Sequence, residues 1–480
     1  MQNGTEMKIL GVLSLSLLSA SVYAKGLKFD ATKNYSVQTI QVDGQSLQVR
    51  AYENISYVKK PVDPEYEVMN IYIPEAYFQQ KNIGRYNAQN APIFFPNDVG
   101  GYMPAKPTPL VSQRGDTTVR ALAHGYVVAS AGARGRTSAL GKAPAAIVDL
   151  KAAVRYLKYN DKYMPGNAEK IVSNGTSAGG AMSVLLGATG DNPDYLPYLK
   201  KLGAAPTSDK IFAVSAYCPI TDLDHADMAY EWQFNQIHNY KKIDISMLDY
   251  KVQRKETAGT LTTAQIQTSN ELSQLFPQYV NQLNLKNKQG QSLTLDQQGH
   301  GSFEQLIKSY VIQSAQTAIN NGENLSQYSW IKQQNGRVVD IDYNQYLGYL
   351  QRQKTPPAFD ALDLSSGENQ EFGTKTIDKQ HFTEYSYQHR TNANATMADA
   401  HIIKMMNPLQ YMTQASTSQH WRIRHGAYDK DTSLAVPTIL ATTLQNKGYQ
   451  VDFALPWGRP HSGDYDLKEL FTWIDGVVNE

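Results

Sequence analysis

Apolar and polar positions along this chain recur in two rhythms, one of period two and one of three to four residues. Ser36–Val42 and Gln45–Tyr52 alternate apolar and polar residues around Asp43-Gly44. That pair suits the positive-φ positions of a type I′ turn, so the segment predicts a β-hairpin. Met69–Ile73, Pro92–Phe95 and Tyr126–Ser130 are short apolar runs of strand length. Between Pro144 and Tyr159, residues Ile147, Leu150, Val154 and Leu157 fall at helical steps and predict a helix with one apolar face. Pro144 suits its first turn, where a missing N–H costs nothing. Ile171–Ser173, ending at a Gly-rich turn, and Ile211–Ala216 are further strand candidates. The rhythm returns late in the chain with Trp421–Arg424, a helix near Pro437–Lys447, and Val451–Leu455. A final helix sets Leu467, Leu470, Phe471, Ile474 and Val477 on one face. Strands alternating with helices predict an α/β fold with a mostly parallel sheet covered on both sides.

Two stretches break the pattern. Lys8 precedes an apolar run from Ile9 to Leu18, followed by Val22-Tyr23-Ala24. This is the arrangement of a signal peptide, with cleavage expected before Lys25 and Met7 as a possible alternative start. The run is too short for the ~20 residues that span a bilayer, and no cysteine follows it for lipidation. The mature protein is expected in a periplasm or outside the cell, without a membrane anchor. The second stretch, residues 223–406, is rich in Gln, Asn, Tyr and Thr, with short helical patterns such as Ser302–Ala318. Its aromatic residues argue for an ordered insertion rather than a linker. The expected organisation is a signal at 1–24, a core at 25–222, an inserted lid at 223–406, and the rest of the core at 407–480.

Composition mainly excludes. The 480 residues hold 45 Lys+Arg against 44 Asp+Glu, a net charge of +1, so no electrostatic footprint for nucleic acid or anionic membrane exists. The single Cys218 removes intramolecular disulfides and cysteine-based metal motifs, and the expectation is no cofactor and no metal. Cys218 itself follows an apolar strand and reads as a packed thiol.

The candidate chemistry begins at Gly175-Thr176-Ser177-Ala178-Gly179. The pentapeptide alone is weak, since chance supplies one in roughly one chain in six at ordinary Gly and Ser frequencies. Here an apolar strand precedes it and a helix-like run with Met182, Leu185 and Leu186 follows, the setting of a nucleophile elbow. The glycines allow a strained turn and a helix close to its neighbouring strands. The elbow projects Ser177 Oγ from the sheet and offers the Ala178 N–H to an oxyanion. The same motif makes Asn174-Gly175-Thr176 a formal glycosylation sequon, which reads as accidental inside an elbow.

A serine nucleophile needs a base and an orienting acid, in the order Ser, Asp or Glu, His. His461 lies just after the strand Val451–Leu455 and is the expected base; Asp429, just after Trp421–Arg424, is the expected acid. Both loops follow the carboxyl ends of strands, where open α/β sheets place their sites. Asp431 rivals Asp429, and His425 rivals His461, although its place four residues before the acid suggests loop stabilisation. The second oxyanion donor is expected from Asn97-Asp98-Val99-Gly100-Gly101-Tyr102, with Gly101 preferred over Gly100 and Tyr102.

These residues, with Ala51-Tyr52-Glu53-Asn54, Met69-Asn70-Ile71-Tyr72, Arg424-His425-Gly426 and Trp457-Gly458 before His461, resemble the bacterial tannases of subtype B. The resemblance covers most of the mature chain. It implies an α/β-hydrolase fold with a large lid inserted after the sixth core strand, and hydrolysis of gallate esters by a Ser177–Asp429–His461 triad. It also implies that Asp431 faces the substrate and that Lys354 and Glu368 in the lid hold the galloyl hydroxyls, with Glu371 as the alternative to Glu368.

The chemistry suits those residue types. A galloyl ring carries three adjacent phenolic hydroxyls; carboxylates accept their protons, and an ammonium donates to a phenolic oxygen. The expected function is an exported serine esterase that releases gallic acid from tannins and alkyl gallates, with a small polyphenol ester as its only implied partner. A feruloyl or broad aryl esterase on the same scaffold is the alternative. A prolyl-oligopeptidase-like peptidase lacks its propeller repeat here, and a dead hydrolase fold conflicts with the intact Ser, Asp and His.

Overall fold

The computed structural model describes residues 26–110, 116–248, 251–412, 415 and 417–480; the expected signal peptide lies outside them. A nine-stranded sheet forms the centre, in the order β1-β2-β3-β5-β4-β6-β7-β12-β13. Its strands are β1 Ser36–Val42, β2 Gln45–Ser56, β3 Val68–Pro74, β4 Pro92–Pro96, β5 Val127–Ala131, β6 Asn167–Thr176, β7 Ala213–Tyr217, β12 His420–Arg424 and β13 Gln450–Ala454. The first three are antiparallel, and β3 meets β5 antiparallel. From β5 onward the pairings are parallel. The predicted hairpin turn carries positive φ at both central residues, 49° at Asp43 and 80° at Gly44.

Every strand read from the apolar runs is present, most of them longer or shifted by one to four residues. β4, β5 and β7 are wholly buried, as is β6 from Ile171 to Gly175, which is why they read as continuous runs. The chain runs from β4 to β5 and then crosses back to place β6 on the far side of β4. That reversal is a topological switch point, and it opens a crevice beyond the carboxyl ends of β4 and β6.

The helix expected to bury one face instead buries all sides. In Ala145–Tyr159 every residue from Ala145 to Leu157 is buried, charged ones included. Paired charges make this tolerable: Asp149 meets Arg134 at 2.7 Å, and Asp209 takes Lys151 and Arg155, each at 2.7 Å. Lys151 is fully buried and Asp209 1% exposed, so each charge depends on its partner. Asp209→Ala is expected to destabilise the fold by about 3–5 kcal/mol, because it strands two cations in the interior. Urea unfolding measures this directly.

Between β7 and β12, which pair with each other, the chain leaves the sheet at Tyr217 and returns at His420. β7 is the seventh strand of the chain, or the sixth if the edge strand β1 is uncounted. The excursion carries hairpins β8 Asn239–Leu248 with β9 Lys251–Thr260, and β10 Ile331–Gln334 with β11 Arg337–Ile341, together with helices Thr263–Gln282 and Ser302–Asn320. Its apolar side chains join the same core as the sheet, and there Phe276 packs near Trp232 and Phe303 at ring distances of 5.1 and 6.3 Å. Its two ends are tied together: Asn407 Nδ2 donates to Asp222 Oδ1 at 2.7 Å. No helix among the described residues is long and apolar enough to cross a membrane.

Candidate active site

Loops at the switch point and on its β12–β13 side bring the expected catalytic residues together. Ser177 ends β6 and precedes helix Ala178–Ala188, with φ 61° and ψ −123°, a strained backbone for a non-glycine residue. The flanking glycines are required by space. A Cβ at Gly175 would lie 2.2 Å from the Gly179 carbonyl oxygen, and one at Gly179 would lie 2.8 Å from both Asn97 Oδ1 and the Val99 carbonyl oxygen. The Ser177 N–H donates to the Tyr217 carbonyl at 3.0 Å, fixing the elbow against β7.

His461 reaches in from the loop after β13. Its Nε2 lies 2.8 Å from Ser177 Oγ, and its Nδ1 lies 2.8 Å from Asp429 Oδ2. Asp429 is fully buried, and the Asp431 N–H donates to its other oxygen at 2.9 Å. Burial pushes the Asp429 carboxyl up, but the His461 and His425 charges outweigh it and hold it down at about 2. Burial opposes charge on His461, yet the Asp429 carboxylate prevails and raises it well above the ordinary histidine range. His425, the rival base, is fully buried with both ring nitrogens unpartnered, 3.6 Å from Asp429 Oδ2. Burial pushes its pKa down.

The N–H groups of Ala178 and Gly101 have no hydrogen-bond partner among the described residues. Gly101 has φ 54°. The Gly100 carbonyl accepts the Met103 N–H at 3.0 Å, so the trans peptide between Gly100 and Gly101 turns the Gly101 N–H the opposite way. Asn97, to which sequence reasoning gave no role, ties this loop to the elbow. Its Nδ2 donates to the Asn174 carbonyl at 3.2 Å and to Gly179 and Ser183 at 3.1 Å each.

The three residues implied by family resemblance gather beside the acid loop. Lys354 Nζ donates to Asp431 Oδ2 at 2.8 Å and sits 3.8 Å from the centre of the Phe359 ring. Tyr230 fixes the segment, since its hydroxyl accepts the Lys354 N–H at 3.0 Å and donates to the Lys430 carbonyl at 3.0 Å. Burial raises the pKa of the Glu368 carboxyl; the Lys354 charge and a backbone hydrogen bond lower it, and Asp431 raises it. Glu371 is a different group: fully buried, both oxygens unpartnered, and pushed by burial to about 8.

Cys218 is buried behind the imidazole, its Sγ 4.0 Å from His461 Nε2 and its thiol pKa raised by burial. With Asp429 and His461 it forms a set whose ligand atoms lie within 4.8 Å of one another, as do Asp222, Asp224 and His225. In both sets the carboxylate and imidazole already bind each other, at 2.8 Å. Asn174 of the formal sequon is 2% exposed and donates to Asp464 Oδ1 at 2.9 Å, leaving no room for a glycan.

A family model described as BD-FAE matches residues 100–270. A comparison with curated proteins found no match. Among solved structures, the Fusobacterium nucleatum tannase is 51% identical, covering 94% of this chain and 99% of its own, with a TM-score of 0.91. A tannase from Lactobacillus plantarum is 45% identical over 94% of this chain and 99% of its own, with a TM-score of 0.91. A tannin acyl hydrolase in complex with ethyl gallate is 45% identical over 95% of this chain and 99% of its own, with a TM-score of 0.89. At such identity over nearly the whole length, the chain belongs to the bacterial tannases, carboxylic ester hydrolases of the α/β-hydrolase fold.

Proposed function

We propose that this enzyme hydrolyses galloyl esters through an acyl-enzyme formed on Ser177, with His461 as base and acid and Asp429 as its orienting partner. The observation that carries the reading is the unbroken relay from Ser177 Oγ through His461 to Asp429, two contacts of 2.8 Å. His461 Nε2 takes the serine proton as Oγ attacks the ester carbonyl. The tetrahedral oxyanion meets the Ala178 and Gly101 N–H groups, each contributing roughly 3 kcal/mol of transition-state stabilisation. His461 returns the proton to the departing alkoxide, and water then repeats the sequence to free gallic acid.

The excursion between β7 and β12, residues 223–406, acts as a lid whose Lys354, paired with Asp431 at 2.8 Å, and Glu368 meet the hydroxyl edge of the ring. Lys354 donates to a phenolic oxygen, while Asp431 and Glu368 accept phenolic protons. A ring without those hydroxyls leaves these polar groups unpaired, so the site rejects it. The solved relative in complex with ethyl gallate, and another in complex with 3,4-dihydroxybenzoate, support a phenolic substrate. The N-terminal 24 residues direct export, and the working location is the periplasm or the exterior.

Chromatography of the products from methyl gallate, methyl protocatechuate and methyl ferulate tests the reading. Gallate should be released fastest and ferulate slower by about 10³-fold or more. Equal rates on gallate and ferulate would overturn the hydroxyl-reading site and favour a broad aryl esterase.

A further inference from the structure

Arg136 lies in the loop after β5 and contacts neither Ser177, His461 nor Asp429, yet it touches both halves of the site. Its Nε donates to the Gly101 carbonyl at 2.6 Å, and its backbone N–H donates to the Tyr102 carbonyl at 2.8 Å. Two consecutive carbonyls of the oxyanion loop are thus held by one residue. On its other side, Arg136 Nη1 donates to Gln370 Oε1 at 2.5 Å. Gln370 belongs to helix Gly367–Glu371, which also carries Glu368. The guanidinium lies against the start of that helix, since a Cβ at Gly367 would come within 3.0–3.1 Å of three of its atoms.

Further hydrogen bonds brace this bridge from both sides. Lys142 Nζ donates to the Arg136 carbonyl at 2.8 Å and to Asp378 Oδ1 at 2.7 Å, while Gln370 Nε2 donates to the same Asp378 oxygen at 3.2 Å. The Ala143 N–H donates to the Glu371 carbonyl at 2.8 Å, stitching the same loop to the end of the helix. An arginine suits the place because its planar fork makes divergent hydrogen bonds at a fixed angle, which a lysine ammonium cannot reproduce.

We propose that Arg136 is a positioning residue that locks the oxyanion loop to the helix carrying Glu368, so that ring recognition and oxyanion stabilisation are held in one register. The proposal rests on the assignment of Gly101 as oxyanion donor and Glu368 as ring contact. Gly101 holds φ 54° between two pinned peptides, one fixed by Met103 and the next by Arg136. Releasing the second lets the loop relax, and a displacement of about 1 Å at such a site can lower a rate about 100-fold.

The test compares methyl gallate with p-nitrophenyl acetate, which needs the serine and the oxyanion hole but has no ring hydroxyls. In the full-length enzyme, Arg136→Ala is expected to lower kcat about tenfold or more on both esters, with added guanidinium restoring part of the loss. Gly367→Ala is the second variant: its methyl group would sit 3.0–3.1 Å from the guanidinium, so Arg136 must shift, and kcat on both esters should fall in step without the removal of a hydrogen-bonding group. Unfolding midpoints within a few degrees of wild type establish that the variants are folded at the assay temperature. If folded Arg136→Ala keeps kcat for p-nitrophenyl acetate within twofold of wild type, the proposal is overturned. It is equally overturned if only KM for methyl gallate changes. Should wild type cleave p-nitrophenyl acetate but not methyl gallate, the galloyl reading fails, and the acetate kcat still decides the role of Arg136 at the oxyanion loop.

Discussion

Replacing Ser177 with alanine is expected to lower kcat for methyl gallate by about 10⁶-fold while leaving ligand affinity largely intact. The magnitude follows from how the site is wired. Ser177 Oγ is the atom His461 Nε2 addresses at 2.8 Å. Cys218 Sγ, 4.0 Å from the same nitrogen, is fully buried behind the ring and presents no face to substrate. With the hydroxyl gone, the Ala178 and Gly101 N–H groups still polarise the carbonyl, so a residue of catalysis over the uncatalysed rate should persist. Binding should survive, because Lys354, Glu368 and Asp431 do not depend on the serine. Single-turnover gallate release and calorimetric titration with methyl gallate separate the two quantities. Activity within tenfold of wild type would show that another group attacks the ester.

The order of strands and helices was legible because buried parallel strands write themselves as unbroken apolar runs, as in Val127–Ala131 and Ala213–Tyr217. Helix Ala145–Tyr159 was legible as a helix but not in its depth. Asp149, Lys151 and Arg155 look like a solvated face until Arg134 and Asp209, distant in sequence, are brought to them. Hairpin β8–β9, which forms a two-stranded sheet apart from the main one, went unread. Helix Thr263–Gln282 carries a full capping box at Thr262 and Gln265, a local signal that was available, and it runs on through Pro277, a residue that ordinarily breaks a helix interior.

The relay residues were recoverable because each sits in a short motif beside a strand end, and chain order alone ranks them. Lys354 and Glu368 had no such local mark. Lys354 meets Asp431 on the acid loop across 77 residues, and only family resemblance pointed to either lid residue. Arg136 and Asn97 escaped for a further reason: they act through backbone carbonyls, and nothing in the sequence identifies which carbonyl a side chain will meet. Arg136 answers Gly101 across 35 residues and Gln370 across 234.

Two aspartates that stand two residues apart in sequence should separate cleanly under mutation. Asp429→Asn is expected to lower kcat/KM by about 10⁴-fold on methyl gallate and p-nitrophenyl acetate alike. The amide at this buried position would present an N–H to His461 Nδ1, which shifts the ring proton to Nε2. That nitrogen would then point a proton at Ser177 Oγ instead of accepting one. The pH profile supplies an independent reading. Catalysis needs neutral His461, so activity is lost as pH falls through its pKa. The Asp429 carboxylate raises that pKa against the opposing effect of burial, placing the acid limb of wild-type kcat/KM above pH 6.5. Removing the charge takes away the largest contribution that raises it while burial still opposes the cation, so the limb of Asp429→Asn should move to lower pH even as its ceiling collapses. Asp431→Asn predicts a different pattern. It removes the partner of Lys354 at 2.8 Å but leaves the His461–Asp429 contact untouched. Its kcat/KM for methyl gallate should fall about 100-fold or more through the lost hydroxyl contact, with p-nitrophenyl acetate turnover within a fewfold of wild type. The reverse pattern, with Asp431→Asn silencing both esters and Asp429→Asn sparing acetate, would exchange the roles of the two carboxylates.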